Sequence, residues 1–539
     1  MRQLVVCFLL AASLQAQVTY ERLLRAADEP ENWLTYSGTY MSQRYSRLDQ
    51  ITPSNAKNLQ LEWVHQSRST EKFETTPLVV DGVMYLTEPP SNVVALDAAS
   101  GRVFWTYDHR PLPEARLCCG NVNKGVGILG DTLFVATVDA RLIALDARSG
   151  TVLWDTPFAA PEAGYSATVS PLVIKDKVIV GVGGGEYGIR GFVAAYDAKT
   201  GKEVWRFYTV AGPGEVGSET WAGDSWKRGG GSVWVTGSFD PALNLTYWGV
   251  GNPGPDYDKY VRQGDNLYTD SVIALDADTG KLKWHFQFTP HDELDYDSVQ
   301  IPVLVDMEWK DRPRNLMLWA NRNGFWYVLD RATGEFLQGK LIDKVTWAKG
   351  LDEKGRPIPD PAKALTSEGL QIFPGVQGTT NWYSPSYNPR TGLFYVSTWV
   401  NYSTIYSRRP TDYVEGRMYT SGYLRTSVPS LRRGPINTWG DAASGAVRAF
   451  DPKTGAMEWE FKMADVTDSG VLTTASDLLF TGGREGYFYA LDARNGEMLW
   501  RVTLGGQISA GPMTYKAGNK QYVSIASGSS LFTFALREE

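Results

Sequence analysis

Two adjacent cysteines, Cys118 and Cys119, lie in the stretch Arg116-Leu117-Cys118-Cys119-Gly120-Asn121-Val122-Asn123-Lys124-Gly125. The third cysteine, Cys7, falls in a basic and then apolar start that reads as a removable secretory signal over residues 1–16. No later stretch is long and apolar enough to span a bilayer. A mature chain would then hold two sulfurs, both in one dipeptide, in a periplasmic or extracellular compartment that lets a disulfide persist. Taken alone, the pair reads either as a redox dithiol or as two free buried thiols. The four histidines are scattered and form no zinc-type cluster, whereas carboxylates gather in His291-Asp292-Glu293-Leu294-Asp295-Tyr296-Asp297. Such oxygen donors suit hard cations. A net charge of −7 leaves no basic surface for nucleic acid or anionic lipid.

The elements that must position these groups come from a repeat. Ala95, Asp97, Gly101 and Trp105 set the pattern Ala-x-Asp-x-x-x-Gly-x-x-x-Trp, which returns with Asp146, Asp197, Asp276, Asp451 and Asp492. A further copy, Val328/Asp330/Gly334, has lost its Trp. Each copy predicts strand, turn, strand, with Asp and Gly making the turn and Trp opening a strand that packs on the neighbouring unit. β-rich runs such as Val178-Ile179-Val180 precede most copies, so one unit is about four short strands. Units that cannot bury their own faces stack around an axis. The seven copies, with a last unit made by joining Leu61-Glu62-Trp63-Val64 to Leu531-Phe532-Thr533-Phe534, predict an all-β, eight-bladed β-propeller with tryptophan-docking repeats. It should form a single domain over residues 17–539. The Asp spacing widens after Asp197 and again after Asp330, which predicts long functional loops there.

The repeat, the vicinal cysteines, and the stretches Gly184-Gly185-Glu186-Tyr187-Gly188-Ile189-Arg190-Gly191, Gly251-Asn252-Pro253-Gly254-Pro255 and His291 to Asp297 together resemble the pyrroloquinoline quinone (PQQ) dependent alcohol dehydrogenases. The likeness is collinear from about Trp33 to Thr533. It implies PQQ as cofactor, with Ca²⁺ or a lanthanide ion. By resemblance, Cys118-Cys119 would be a ring-shaped vicinal disulfide covering one face of the quinone, and Trp234 would cover the other. Read without the resemblance, Trp234 is equally a sheet-packing residue. The rim would be Glu74, Lys124, Thr168, the Gly183-Gly184-Gly185 backbone, Ser232 and Arg322. Lys124 stands where the family usually has Arg, a point charge in place of a planar fork.

Glu186, Asn252, Asp295 and Asp297 match the family's metal ligands, and Asp295 matches its base. Asp297, two residues after the base, resembles the lanthanide-dependent branch, and its extra charge favours a larger and more highly charged ion. The implied reaction is oxidation of a small alcohol, with Asp295 taking the hydroxyl proton as hydride leaves for the quinone. This sequence has no Cys-x-x-Cys-His haem attachment motif, so a separate cytochrome c is the expected electron acceptor.

Departures from the family fall on one wall. Asp468-Ser469-Gly470-Val471-Leu472-Thr473-Thr474 lacks the expected tryptophan, Ser527-Gly528-Ser529-Ser530 shortens a loop over the pocket, and the asparagine expected after Phe394-Tyr395-Val396 is displaced or replaced, with Trp399 and Asn401 nearby. A second reading is therefore a non-catalytic propeller serving as a binding or assembly scaffold. Such a scaffold would need the repeats and would have no reason to keep the cysteines, Glu186, Asn252 and Asp295 together. The inserts from Thr346 to Gln377 and Tyr402 to Thr438 show no readable pattern and leave the alcohol unidentified.

Overall fold

The computed structural model describes residues 18–426 and 443–537; the expected signal segment, with Cys7, lies outside them. Each repeat turns on its aspartate. Asp97 Oδ1 accepts from the backbone N–H of Ala99 and Ser100 and from the Ser100 hydroxyl, and Gly101 follows at φ +71°. That left-handed conformation suits glycine, which has no Cβ to clash. The chain then reverses, pairing Asn92–Asp97 with Val103–Tyr107 and setting Ala95 opposite Trp105.

The tryptophan reaches into the next repeat. Trp105 Nε1 donates to Ala147 O at 3.1 Å, and its ring lies 2.5 Å from where a Cβ on Gly150 would stand. Trp63 meets Gly101 in the same way, Trp154 meets Gly201, Trp205 meets Gly280, Trp284 meets Gly334 and Trp459 meets Gly496. The motif glycine thus serves the turn of its own sheet and makes room for its neighbour's ring. In the copy without tryptophan, Gln338 takes that position, and Gly455 faces Gln338 and Lys340 instead.

The chain is all-β, and its described residues include eight antiparallel sheets built on four strands each. The first runs Leu78–Val80, Val83–Glu88, Asn92–Asp97, Val103–Tyr107. Six more follow as meanders, ending with the sheet from Leu472–Thr474 to Met498–Thr503, on whose edge Tyr45–Ser46 pairs in parallel. The remaining sheet joins the two ends of the chain: Leu59–Gln66 lies against Ser530–Leu536, with Leu61 opposite Phe534 and Trp63 opposite Thr533. Inner strands are buried on both faces, as in Thr132–Ala136 and Arg141–Asp146, while outer strands such as Val152–Pro157 are largely exposed. Stacked sheets produce this gradient. Each fully buried Val, Leu or Ile in it contributes about 1.5–3 kcal/mol.

The inserts are more ordered than their sequence indicates. Ala348–Leu351 pairs with Pro357–Pro359, and Leu370–Ile372, Thr404–Arg408 and Gly422–Thr426 form a three-stranded sheet. Prolines, glycines and lysines interrupt any two-residue alternation there. Among the described residues no helix is long and apolar enough to cross a membrane.

Candidate functional site

In an antiparallel pair, the start of the first strand and the end of the second lie at the same end. Glu74, Cys118, Cys119, Lys124, Thr168, Ser232, Trp234, Asp295 and Asp297 all lead into the first strands of their sheets, and Gly183, Gly184, Gly185, Glu186, Asn252 and Arg322 all follow second strands. The topology therefore places them at one end of their sheets.

Arg322 organises the acidic centre. Buried, it donates from Nη1 to Asp297 Oδ2 at 2.8 Å, from Nη2 to Asp295 Oδ2 at 3.3 Å and from Nε to Val376 O at 2.7 Å. Burial opposes its charge, but the two aspartates more than offset this and hold the guanidinium protonated. Asp297 Oδ1 accepts the Asn252 backbone N–H at 2.9 Å, and its Oδ2 also accepts Trp234 Nε1 at 3.3 Å. Gly251 makes this approach possible, because a Cβ there would lie 2.3 Å from Asp297 Oδ1.

Asp295 sits at φ +59°, on a turn shaped by Asp292. The Asp292 carboxylate accepts the N–H groups of Leu294 and Tyr296, both at 2.9 Å. Burial nevertheless raises its pKa to about 6 against those two bonds. Burial also raises Asp295, where Arg322 opposes the shift and Asp297 and Glu186 add to it. Glu186 is raised by burial and then by Asp297. One guanidinium does not balance this group, so its donor set and charge fit a hard cation.

On one side of the acidic centre, Lys124 joins Glu74, Thr168 and two tryptophan rings. Lys124 Nζ contacts Glu74 Oε2 at 3.0 Å and Thr168 Oγ1 at 3.5 Å, and the Thr168 hydroxyl donates to Trp234 O at 3.1 Å. The same ammonium lies 5.1 Å from the Trp234 ring and 4.5 Å from the Trp382 ring. Gly183 N–H donates to Ser166 O, and Gly184, at φ +106°, would put a Cβ 1.9 Å from Gly164 O. Gly185 faces the Ser232 hydroxyl. Flat rings beside a polar rim fit a planar, multiply carboxylated quinone.

Cys118 and Cys119 lie side by side as expected for the dipeptide and carry no S–S bond in this structure. Cys118 is half-buried, its thiol pushed up by the hydrogen bond with Cys119 and by burial, and exposed Cys119 points its Sγ at Glu186 Oε1, 4.0 Å away. Among the described residues, Cys118, Cys119 and Glu186 bring three ligand atoms within 4.8 Å of one another. Glu186, Asp295 and Asp297 are not gathered to that degree, because Arg322 holds the two aspartates.

Three participants escaped sequence reasoning. Trp382, just ahead of the strand Ser386–Asn388, faces Lys124. Tyr257 donates to Asp295 Oδ2 at 3.2 Å, and Asp256 is buried beside the same acids. Their one available signal was proximity to Asn252-Pro253-Gly254-Pro255. The altered wall is filled by Asp468, which accepts from Tyr383 at 2.7 Å, Arg484 at 2.8 Å and Gln507 at 2.7 Å, while Arg484 stacks 4.7 Å from the buried Trp399.

Comparison with known proteins agrees with this geometry. The family described as glucose/ethanol/alcohol dehydrogenase, β-propeller domain, matches residues 33–339, a span that contains every candidate site residue. A second family, described as outer membrane protein assembly factor BamB, matches residues 443–533, which hold repeats and none of the candidate residues. Quinohemoprotein alcohol dehydrogenase ADH IIB of Pseudomonas putida is 39% identical over 97% of this chain and 77% of its own. Quinoprotein alcohol dehydrogenase PedH of the same species is 37% identical over 96% and 90%. Among solved structures, the quinohemoprotein alcohol dehydrogenase of Comamonas testosteroni is 34% identical with a TM-score of 0.90, covering 98% of this chain and 84% of that one. A europium-containing methanol dehydrogenase is 32% identical with a TM-score of 0.90, covering 96% and 100%. The chain belongs to the PQQ-dependent quinoprotein alcohol dehydrogenases, a β-propeller family.

Proposed function

We propose that this chain oxidises an alcohol to an aldehyde or ketone with bound PQQ and a Ca²⁺ or lanthanide ion, using Asp295 as the base. The carrying observation is the half-buried Asp295 carboxylate, presented on a left-handed turn and gripped by Arg322 and Tyr257. When bound, the quinone supplies a two-electron acceptor and the cation a polarising charge. Glu186, Asn252, Asp295 and Asp297 would hold the ion. Trp234 and the Cys118-Cys119 segment would cover the quinone's faces, with Glu74, Lys124, Thr168, Ser232, Arg322 and the Gly183 to Gly185 backbone around its rim.

Each residue then has a defined task. Arg322 opposes the desolvation that raises Asp295, and a cation held at this site would add to that effect and favour the ionised carboxylate. Asp295 takes the hydroxyl proton of the alcohol through Oδ1, and Tyr257 and Arg322, both donating to Oδ2, fix the direction of the carboxylate. Aromatic walls at Trp234, Trp382 and Trp399 exclude water.

The eight sheets, the tryptophan contacts from sheet to sheet, and the pairing of Leu59–Gln66 with Ser530–Leu536 support one eight-bladed propeller with tryptophan-docking repeats over residues 17–539. The basic and apolar residues 1–16 support export to the periplasm or beyond, where a cytochrome c is the proposed electron acceptor. The scaffold reading loses ground because its family match lies outside the site.

Reconstitution of the purified apoprotein with PQQ plus Ca²⁺ or La³⁺, followed by a dye-linked alcohol assay, tests the function. Turnover with either ion supports it; no bound quinone absorbance and no turnover with both ions overturns it.

A further inference from the structure

We propose that Asp256 is a further ligand of the cation, a fourth carboxylate beside Glu186, Asp295 and Asp297, and that it biases the site toward trivalent lanthanides over Ca²⁺. This inference rests on the metal site assigned above and concerns a residue that the family resemblance did not supply.

The observations start with an unspent oxygen. Asp256 is 2% exposed, and its Oδ1 has no hydrogen-bond partner. Its neighbours are the wrong ones for a carboxylate: Asp295, Glu186 and Asp297 all act on it unfavourably, and the Asn252 amide offers the favourable contact. A buried carboxylate in such surroundings must either take up a proton or meet a cation. Asp297 differs, because both of its oxygens already serve protein donors at Asn252, Trp234 and Arg322. Asp256 thus brings the ion an oxygen that serves no protein donor, whereas Asp297 would share its oxygens between the ion and those donors.

The backbone holds Asp256 in place for this. Arg262, fully buried, donates from Nη2 to the carbonyls of Asp256, Pro255 and Asp292. It thereby ties the loop carrying Asn252 and Asp256 to the turn that presents Asp295. Four carboxylates against the Arg322 guanidinium leave three formal negative charges, which a trivalent ion neutralises and a divalent ion does not.

The test uses Tb³⁺ and Ca²⁺ as probes on the purified full chain. Trp234, whose Nε1 is 3.3 Å from Asp297 Oδ2, serves as the antenna for sensitised Tb³⁺ emission, and Ca²⁺ is measured by competition. Asp256→Asn keeps the shape and removes the charge. The expected result is at least a tenfold loss of Tb³⁺ affinity, a smaller loss for Ca²⁺, and a metal-free melting temperature equal to or above that of the parent chain. Unchanged Tb³⁺ affinity in Asp256→Asn, with the parent chain binding normally, overturns the inference and leaves the site reading intact. Equal losses for both ions together with a lower metal-free melting temperature assign Asp256 a merely structural role and overturn it too. Absence of Tb³⁺ and Ca²⁺ binding to the parent chain overturns the metal site itself, and this inference with it.

Discussion

The hydroxyl of Tyr257 donates to Oδ2 of Asp295 at 3.2 Å, the same oxygen that receives Arg322 Nη2 at 3.3 Å. Two donors on one oxygen leave Oδ1 of the carboxylate to turn toward the ion or the substrate. Tyr257 is buried, with its ring tilted against Tyr406 at 5.9 Å, so the hydroxyl has little freedom to leave. Tyr257→Phe keeps that packing and removes one hydrogen bond to a charged group, worth about 1.5 kcal/mol. Steady-state kinetics of the reconstituted enzyme should show kcat lowered roughly tenfold with KM and PQQ content little changed.

Gly251 tests whether the site depends on close backbone approach. An alanine Cβ there would meet Asp297 Oδ1 at 2.3 Å and Ser232 Oγ at 2.7 Å, so Asp297 must move. Gly251→Ala should lower lanthanide affinity more than tenfold and cost about 1–3 kcal/mol of stability, as overpacking does elsewhere. Metal titration and urea unfolding measure the two effects separately.

Acid stability has an identifiable contributor outside the candidate site, at Asp139. Asp139, 1% exposed, accepts from His109 Nε2 at 2.7 Å, from the Thr137 hydroxyl at 2.6 Å and from Leu112 N–H at 3.1 Å. Burial disfavours its charge, but these bonds outweigh burial and hold its pKa at about 2. A folded value below the unfolded one, about 3.9, contributes stability that is complete above that value and is lost as pH falls through about 2. The contribution is roughly 2 kcal/mol. Asp139→Asn should therefore be less stable than the parent chain at neutral pH, and the gap should close between about pH 4 and pH 2 in urea unfolding.

The sheets were legible because few residues substitute for Asp97 and Gly101 in such a turn, and because Trp105 recurs at fixed distance from them. Their joining through Leu61 and Phe534 followed from counting. The strands at Ala348–Leu351 and Leu370–Ile372 were not legible, since a lysine and a glycine fill the middle of the first and the second is only three residues long, too short to show an alternation. In the site, Glu186, Asn252, Asp295 and Arg322 were found through resemblance, not through chemistry visible in isolation: an arginine after a strand looks like any other. Tyr257 and Asp256 acquire a role only when the ends of separate strands bring residues 252–257 against residues 292–297, a proximity that no local pattern encodes. The state of Cys118 and Cys119 was not legible either, because a dithiol and its ring share one sequence.

Asp295 carries the central chemical claim, and single-turnover spectroscopy reaches it directly. The chain and its Asp295→Asn variant are each loaded with PQQ and La³⁺, their quinone and metal contents are matched, and alcohol is added without an electron acceptor. The parent chain should lose its quinone absorbance on mixing, and the variant should lose it about 10²–10⁴-fold more slowly, the range for removing a general base. Equal rates at matched loading would contradict the role of Asp295 as the base.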